Sequence, residues 1–276
     1  MKNTYFKVML SVFVTGCILT SCYKEFNPKS YAPPFTISGF SSVKQIKPAN
    51  LVGYWAFEGS YIDSVSKTVG TGVGTTFVNG FKGKAMQGAL NAYVISDVTD
   101  AVASLHSFTV SYWINTPLNS AGIAGTVNIS RTDDFWGNLD MFYENGGTAT
   151  SSVFKTHINS NGVGSWAVTT INNPWNTWMN VTVTYDQTTS NTITYINGSS
   201  IGTYNQPNLG SLTFQNPTKL IFGTTQFQTT PSLGTAGGPQ SWASFLTGVL
   251  DEVRIYNAVL TPTEINALVV LQGKGK

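Results

Sequence analysis

Ser107-Phe108-Thr109-Val110-Ser111-Tyr112-Trp113-Ile114-Asn115-Thr116 alternates apolar and polar or surface-tolerant side chains along its length. Successive side chains of a strand point to opposite faces, so Phe108, Val110, Tyr112 and Ile114 share one face and Thr109, Ser111, Trp113 and Asn115 the other. The first set predicts a core face, and the second a face that lines a groove. Comparable runs recur at 51–57, 92–95, 122–130, 136–144, 152–159, 165–171, 178–186, 192–196, 219–223 and 246–256, separated by turn signals such as Asn145-Gly146-Gly147 and Asn161-Gly162. Between Ile193-Thr194-Tyr195-Ile196 and Ser199-Ser200-Ile201-Gly202 stands Asn197-Gly198, which supplies both positive φ values of a type I′ hairpin turn. So many short strands with one dry and one polar face predict an all-β fold, a sandwich of two packed antiparallel sheets. Thr261-Pro262-Thr263-Glu264 has the form of a capping box with proline at the first helical position, and Ile265, Leu268 and Val269 follow. It predicts one short C-terminal helix.

The 276 residues are 41% hydrophobic and 13% aromatic but only 10% charged, which excludes disorder and a long helical bundle. Residues 1–21 read as a secretory signal: Lys2 and Lys7, an apolar run over 8–19, then Thr20-Ser21 before Cys22. The run is too short for a bilayer core of about 30 Å. With Lys2 and Lys7 removed, the 15 Lys and Arg fall to 13 and balance the 13 Asp and Glu. Zero net charge argues against a nucleic-acid partner, which requires a positive surface. Residues 22–50, rich in Pro, Ser and Lys, read as a tether, and residues 51–276 as one folded body. No disulfide is expected, because Cys17 lies in the removed segment and Cys22 is left without a partner.

Several motifs carry resemblances to known families. Leu19-Thr20-Ser21-Cys22 resembles the bacterial lipobox, which implies acylation of Cys22, and Cys22-Tyr23-Lys24-Glu25 is similar to the start of surface-directed Bacteroidetes lipoproteins. The implied location is the outer membrane, held by the lipid alone and facing the surface or the periplasm. Leu51-Val52-Gly53-Tyr54-Trp55-Ala56-Phe57-Glu58-Gly59, the strand at 108–114, Trp178 to Asp186, Tyr195-Ile196-Asn197-Gly198 and Gly248-Val249-Leu250-Asp251-Glu252-Val253-Arg254-Ile255-Tyr256 resemble bacterial laminin G-like domains. These belong to the concanavalin A-like lectin/glucanase superfamily, and the resemblance implies a concanavalin A-like jelly roll over nearly the whole body. After Asp63 the chain departs from the family's usual loop, continuing Ser64-Val65-Ser66-Lys67.

Three sites follow for consideration. Asp251 falls with Val249, Val253 and Ile255 on an inward strand face, where a carboxylate must be paired, hydrogen-bonded or metal-bound. The resemblance implies a structural Ca²⁺ with Glu58, Asp63 and Asp251 as oxygen ligands; the alternative is that Asp251 accepts backbone N–H bonds at a strand end. A glycan groove is expected from Trp136, Asn138 and Asp140 on one strand face, with His157, Trp166 and the loop residue Arg131 beside them. Sugars stack their C–H faces on aromatic rings while polar groups bond their hydroxyls. Each of these tryptophans can instead be core. Catalysis is not expected: laminarinase-type hydrolases on this fold carry Glu-x-Asp-x-x-Glu, whereas Asn138-Leu139-Asp140-Met141-Phe142-Tyr143-Glu144 lacks the first acid and places the last one position late. The expected function is thus non-catalytic binding of a polysaccharide or glycan, with an adhesion or scaffold module for a protein partner as the alternative and a glycosidase or lyase third.

Overall fold

The strands expected from alternation are present in a computed structural model that describes residues 35–276. In chain order they are β1 (Leu51–Trp55), β2 (Thr71–Val73), β3 (Thr76–Asn79), β4 (Lys84–Gln87), β5 (Tyr93–Asp97), β6 (Phe108–Asn115), β7 (Ile123–Ile129) and β8 (Leu139–Tyr143). There follow β9 (Ser151–Ser160), β10 (Val163–Asn172), β11 (Met179–Asp186), β12 (Asn191–Ile196), β13 (Ser199–Asn205), β14 (Lys219–Phe222), β15 (Ala243–Ser244) and β16 (Val249–Tyr256). A single turn, α1 (Asp100–Ala103), lies between β5 and β6, and α2 (Pro262–Gly273) closes the chain. The strands β2, β3, β4 and β15 are not legible from alternation. They run two to four residues, too short to display a period.

Two eight-stranded sheets result, one in the order β13-β12-β11-β6-β16-β4-β3 and the other in the order β10-β9-β8-β7-β14-β5-β2. In the first, β4 and β1 share one edge of β16 in succession, pairing with Val249–Leu250 and then with 253–256. In the second, β15 runs parallel to the start of β7, the one parallel pair among the described strands. This is the all-β, two-sheet antiparallel sandwich expected, with its short C-terminal helix. The inner faces carry the main core, where Phe108, Val110, Tyr112 and Ile114 of β6 meet Leu139, Met141 and Tyr143 of β8 and Phe154 and Ile158 of β9. Asn197 and Gly198 take φ of 49° and 84°, the type I′ geometry expected of the β12–β13 hairpin.

Both outer faces are also partly covered. On the first sheet, α2 and residues 43–46 pack as a second apolar cluster of Val43, Ile46, Tyr195, Tyr256, Leu260 and Leu268. The capping box forms: Thr261 Oγ1 accepts from Glu264 N at 3.2 Å, and Thr261 N donates to Glu264 Oε2 at 2.8 Å. This covering corrects the expectation that Thr109, Ser111, Trp113 and Asn115 line a groove. Trp113 Nε1 donates to Gln272 of α2 at 2.9 Å, its ring stacks on Phe81 at 3.4 Å, and Thr109 bonds the chain leading into α2.

A second correction concerns the start of the folded body, expected at residue 51. The compact unit begins at Thr36. Ser42 caps a 3₁₀ turn over Val43–Gln45, and Ile46 is 1% exposed against α2, so residues 36–50 belong to the body rather than to a tether. Their Pro, Ser and Lys content hides two apolar anchors. The expected signal sequence, the acylated Cys22 and the tether before residue 35 lie outside the described residues. Among the described residues no helix is long and apolar enough to cross a membrane.

Candidate functional site

On β8, Leu139, Met141 and Tyr143 point into the core, so Asp140 and Phe142 point to the outer face of the second sheet. On β9, Phe154 and Ile158 point inward, which leaves Lys155, His157 and Asn159 outward. Two loops fold over this face. Residues 131–138 bring Phe135 and Trp136 across β8, and residues 224–242 bring Phe227 and Trp242 from the chain between β14 and β15. Gln226 locks one loop to the other: its Oε1 accepts from Arg131 N at 2.6 Å, and its Nε2 donates to the carbonyls of Asp134 and Phe135 at 2.9 and 3.0 Å.

The outcome is a layered aromatic cluster. Trp136 stacks parallel to Phe142 at 5.6 Å and meets Trp166 and Phe227 edge-on at 5.0 and 5.1 Å. Phe227 stacks on Phe135 at 4.7 Å. Trp242, 44% exposed, completes the rim 6.1 Å from Trp136. Aromatic pairs of this kind are each worth about 0.5–1.5 kcal/mol beyond the area they bury. Between Trp136, Phe142, Trp166, Trp242 and Ile123 opens a cavity of about 320 Å³, with the ion-paired Glu144 and Lys155 as its charged lining.

The six residues expected to bind sugar divide between this cavity and its supports. Trp136 and Trp166 line it. His157 is buried beneath, its ring stacked on Trp166 at 4.0 Å and its Nδ1 3.0 Å from Asp140 Oδ2, so the pair props the platform. Burial pushes the Asp140 carboxyl above its ordinary range, against the opposing pull of His157. Asn138 lies outside the cavity: its Nδ2 donates to the carbonyls of Ser130 and Gln215 at 2.8 and 2.9 Å and its Oδ1 accepts from Gln215 N, which ties the start of β8 to two neighbouring segments. Arg131, 7% exposed, is spent on Asp133, Asn159 and Asp134. Strand alternation groups Asn138 with Trp136 only if the strand starts at 136, whereas β8 starts at Leu139 and Trp136 arrives from a loop.

Phe142, Phe227 and Gln226 are parts of the site that the sequence reading misses. Phe142 is within its reach, since it follows Asp140 by two positions on the same face. Gln226 carries no local signal; its importance comes from partners 91 and 92 residues away.

The expected cation ligands are not assembled as a trio. Asp63 is fully buried and consumed by four donors: the N–H groups of Tyr54, Val65 and Ser66 and the Ser66 hydroxyl, at 2.5–3.1 Å. It is a turn-forming carboxylate. Glu58 and Asp251 do flank one turn, accepting from Lys84 N and Lys82 N at 2.9 Å each. The turn is held so close that a Cβ on Gly83, which sits at φ +60°, would lie 2.0 Å from Glu58 Oε1. Burial pushes the Asp251 carboxyl up to about 7, and the Glu252 and Glu58 carboxylates add to the push against N–H donation from Lys82 and Glu252. Among the described residues no group of three or more His, Cys, Asp or Glu is placed to hold a metal ion.

A family model described as Concanavalin A-like lectin/glucanases superfamily matches residues 87–266, well over half the chain. The chain belongs to this superfamily. No curated protein matches it. Among solved structures, this superfamily member is similar to the binding domain of Paraclostridial Mosquitocidal Protein 1, with TM-score 0.59 and 20% identity over 80% of this chain and 52% of that one. It is similar to the binding domain of Botulinum neurotoxin DC, solved with rat synaptotagmin II, with TM-score 0.57 and 15% identity over 83% of this chain and 52% of the other. Domain 4 of AbnA, a GH43 extracellular arabinanase from Geobacillus stearothermophilus solved with arabinotriose, gives TM-score 0.54 and 18% identity over 80% of this chain and 98% of that domain. The chain thus spans about half of the toxin domains and nearly all of the arabinanase domain. At these identities the likeness establishes the concanavalin A-like fold.

Proposed function

We propose that the body is a non-catalytic carbohydrate-binding module and that the aromatic cavity on the second sheet is its sugar site. The observation that carries this reading is the set Trp136, Trp166 and Trp242 around one opening with Phe142 as floor and Glu144 and Lys155 at the side. Rings of this kind accept the C–H faces of pyranose or furanose units, and a few polar groups fix their orientation. The arabinanase domain of the same fold was solved with arabinotriose, which supports an oligosaccharide as the ligand class. The non-catalytic reading draws support from the carboxylates: Glu144 is neutralised by Lys155, and Asp140 is sealed under Trp136 and Trp166. Neither stands free to serve in a hydrolytic acid pair.

In the cell the module is read as tethered to the outer membrane by acylated Cys22, holding polysaccharide for uptake or degradation by other proteins. A calcium ion braced by Glu58 and Asp251 is part of this reading, supported by the crowding of the two carboxylates around one turn.

The test is affinity electrophoresis of the full chain against arabinan, xylan, mannan and host glycans, beside its Trp242→Ala variant. Retardation by one glycan that falls by about tenfold in the variant, a loss of about 1.4 kcal/mol, supports the site. Silence across all glycans moves the reading to a protein partner.

A further inference from the structure

The outer face of the first sheet holds a second pocket, of about 240 Å³, beside the segment whose composition suggests a tether. It shares no lining residue with the aromatic cavity and stands on the other sheet. Its floor is Arg254 of β16, only 5% exposed, with the guanidinium carbon 3.8 Å over the Tyr54 ring. Arg254 Nη2 donates to Glu252 Oε2 at 2.8 Å, but its Nε is buried without an acceptor. A buried guanidinium donor left unpaired is costly.

Glu252 takes three donors, and none of them is Arg254 Nε. Its Oε1 takes the Tyr54 hydroxyl at 2.6 Å, and its Oε2 takes both Arg254 and Gln272 Nε2, the latter at 3.1 Å. Two lysines stand at the rim: Lys44, exposed, and Lys82, 46% exposed with Nζ 4.0 Å from Glu252 Oε1. Three cations line the opening, while Glu252 beside Arg254 and Lys82 and Asp251 at the Lys82 backbone supply the neighbouring carboxylates. The remaining walls are apolar, from Val43, Ile46, Pro48 and Leu51.

We infer that this pocket binds a small organic carboxylate, its anionic end on Arg254, Lys44 and Lys82 and its body against Val43, Ile46, Pro48 and Leu51. The cationic groups at one end of the pocket attract an anion, and the apolar walls reward a ligand that carries carbon behind its charge. Inorganic phosphate would meet the charge and leave those walls wet. Two sources present this chemistry: a uronic acid unit of an acidic glycan and an aliphatic carboxylate.

The experiment is titration calorimetry of the full chain with digalacturonate, with hexanoate and with inorganic phosphate. Arg254 anchors Glu252, so its replacement risks the fold; the double variant Lys44→Glu, Lys82→Glu changes exposed side chains instead. Saturable binding of either carboxylate, weakened by about tenfold or more in the double variant and unchanged in Trp242→Ala, is the expected result, and the carboxylate that binds names the source. Lys82 also faces the buried Glu252, so the ligand-free double variant should stay folded but melt somewhat below the unaltered chain. Failure of both carboxylates to bind, phosphate binding as tightly as either, or affinity that survives the charge reversal overturns the inference. Because Trp242→Ala weakens the sugar site alone, loss of one site is distinguishable from loss of the other.

Discussion

Trp136 and Trp242 line the same cavity from opposite structural positions, and their substitutions should separate binding from stability. Trp242 is 44% exposed at the rim, so Trp242→Ala should lose glycan affinity and leave the melting temperature nearly unchanged. Trp136 is wedged among Phe142, Trp166 and Phe227, so Trp136→Ala should lose affinity and also about 2–3 kcal/mol of stability, below the cost of emptying a fully buried site. Denaturant titration beside a binding measurement separates the two effects. Asp251 supplies a pH signature. Its carboxyl titrates near 7 in the folded chain and near 3.8 once unfolded, so between those values the folded chain holds a proton that the unfolded chain has released. Stability from this group therefore falls as pH rises from about 4 to about 7 and levels off above. In chelator the melting temperature should decline over that window, Asp251→Asn should flatten the decline, and calcium should raise the melting point more at pH 8 than at pH 5. An unchanged melting point with calcium at pH 8 would remove the calcium brace.

Among the elements, α2 and the 224–242 loop show how differently two coverings are encoded. The start of α2 is written in four consecutive residues, and its cap contributes through two reciprocal hydrogen bonds. Thr261→Ala should cost about 1 kcal/mol, and hydrogen exchange should show the first turn of α2 opening before the sheets. The loop over the aromatic cavity has no such local mark. It is held by Gln226, whose loss would orphan the buried Arg131 N–H and two carbonyls. Gln226→Ala should cost about 2–3 kcal/mol and weaken glycan binding even though Gln226 lines no part of the cavity. Wild-type affinity in that variant would show that the loops keep their places without it.

At the scale of the whole molecule, the boundary of the folded unit makes a clear prediction. A chain beginning at residue 51 would strip Val43 and Ile46 from the cluster with Tyr256, Leu260 and Leu268 and open the second pocket. It should melt well below a chain beginning at residue 36, and in limited proteolysis the bonds over 36–50 should resist cleavage. Equal melting temperatures for the two truncations would return residues 36–50 to the tether.

What the sequence determined by itself was everything that lies within reach of a few consecutive residues. Alternation at 107–116 and its ten counterparts set all but the shortest strands, Asn197-Gly198 the hairpin, and Thr261 to Glu264 the helix start, because side-chain direction, φ preference and capping are local properties of the backbone. Tertiary structure alone decided which face is covered and which stays open. Trp113 and Trp136 both occupy polar-side positions in a strand-period reading; α2 and Phe81 close over the first, while Trp136 comes from a loop pinned by Gln226 and stays at an opening. The same holds for the carboxylates: Asp63 is tied to Tyr54 N of β1 as well as to its own turn, and Asp251 accepts from Lys82 N, 169 residues away. Such outcomes depend on contacts between distant segments, and a pattern read along the chain does not contain them.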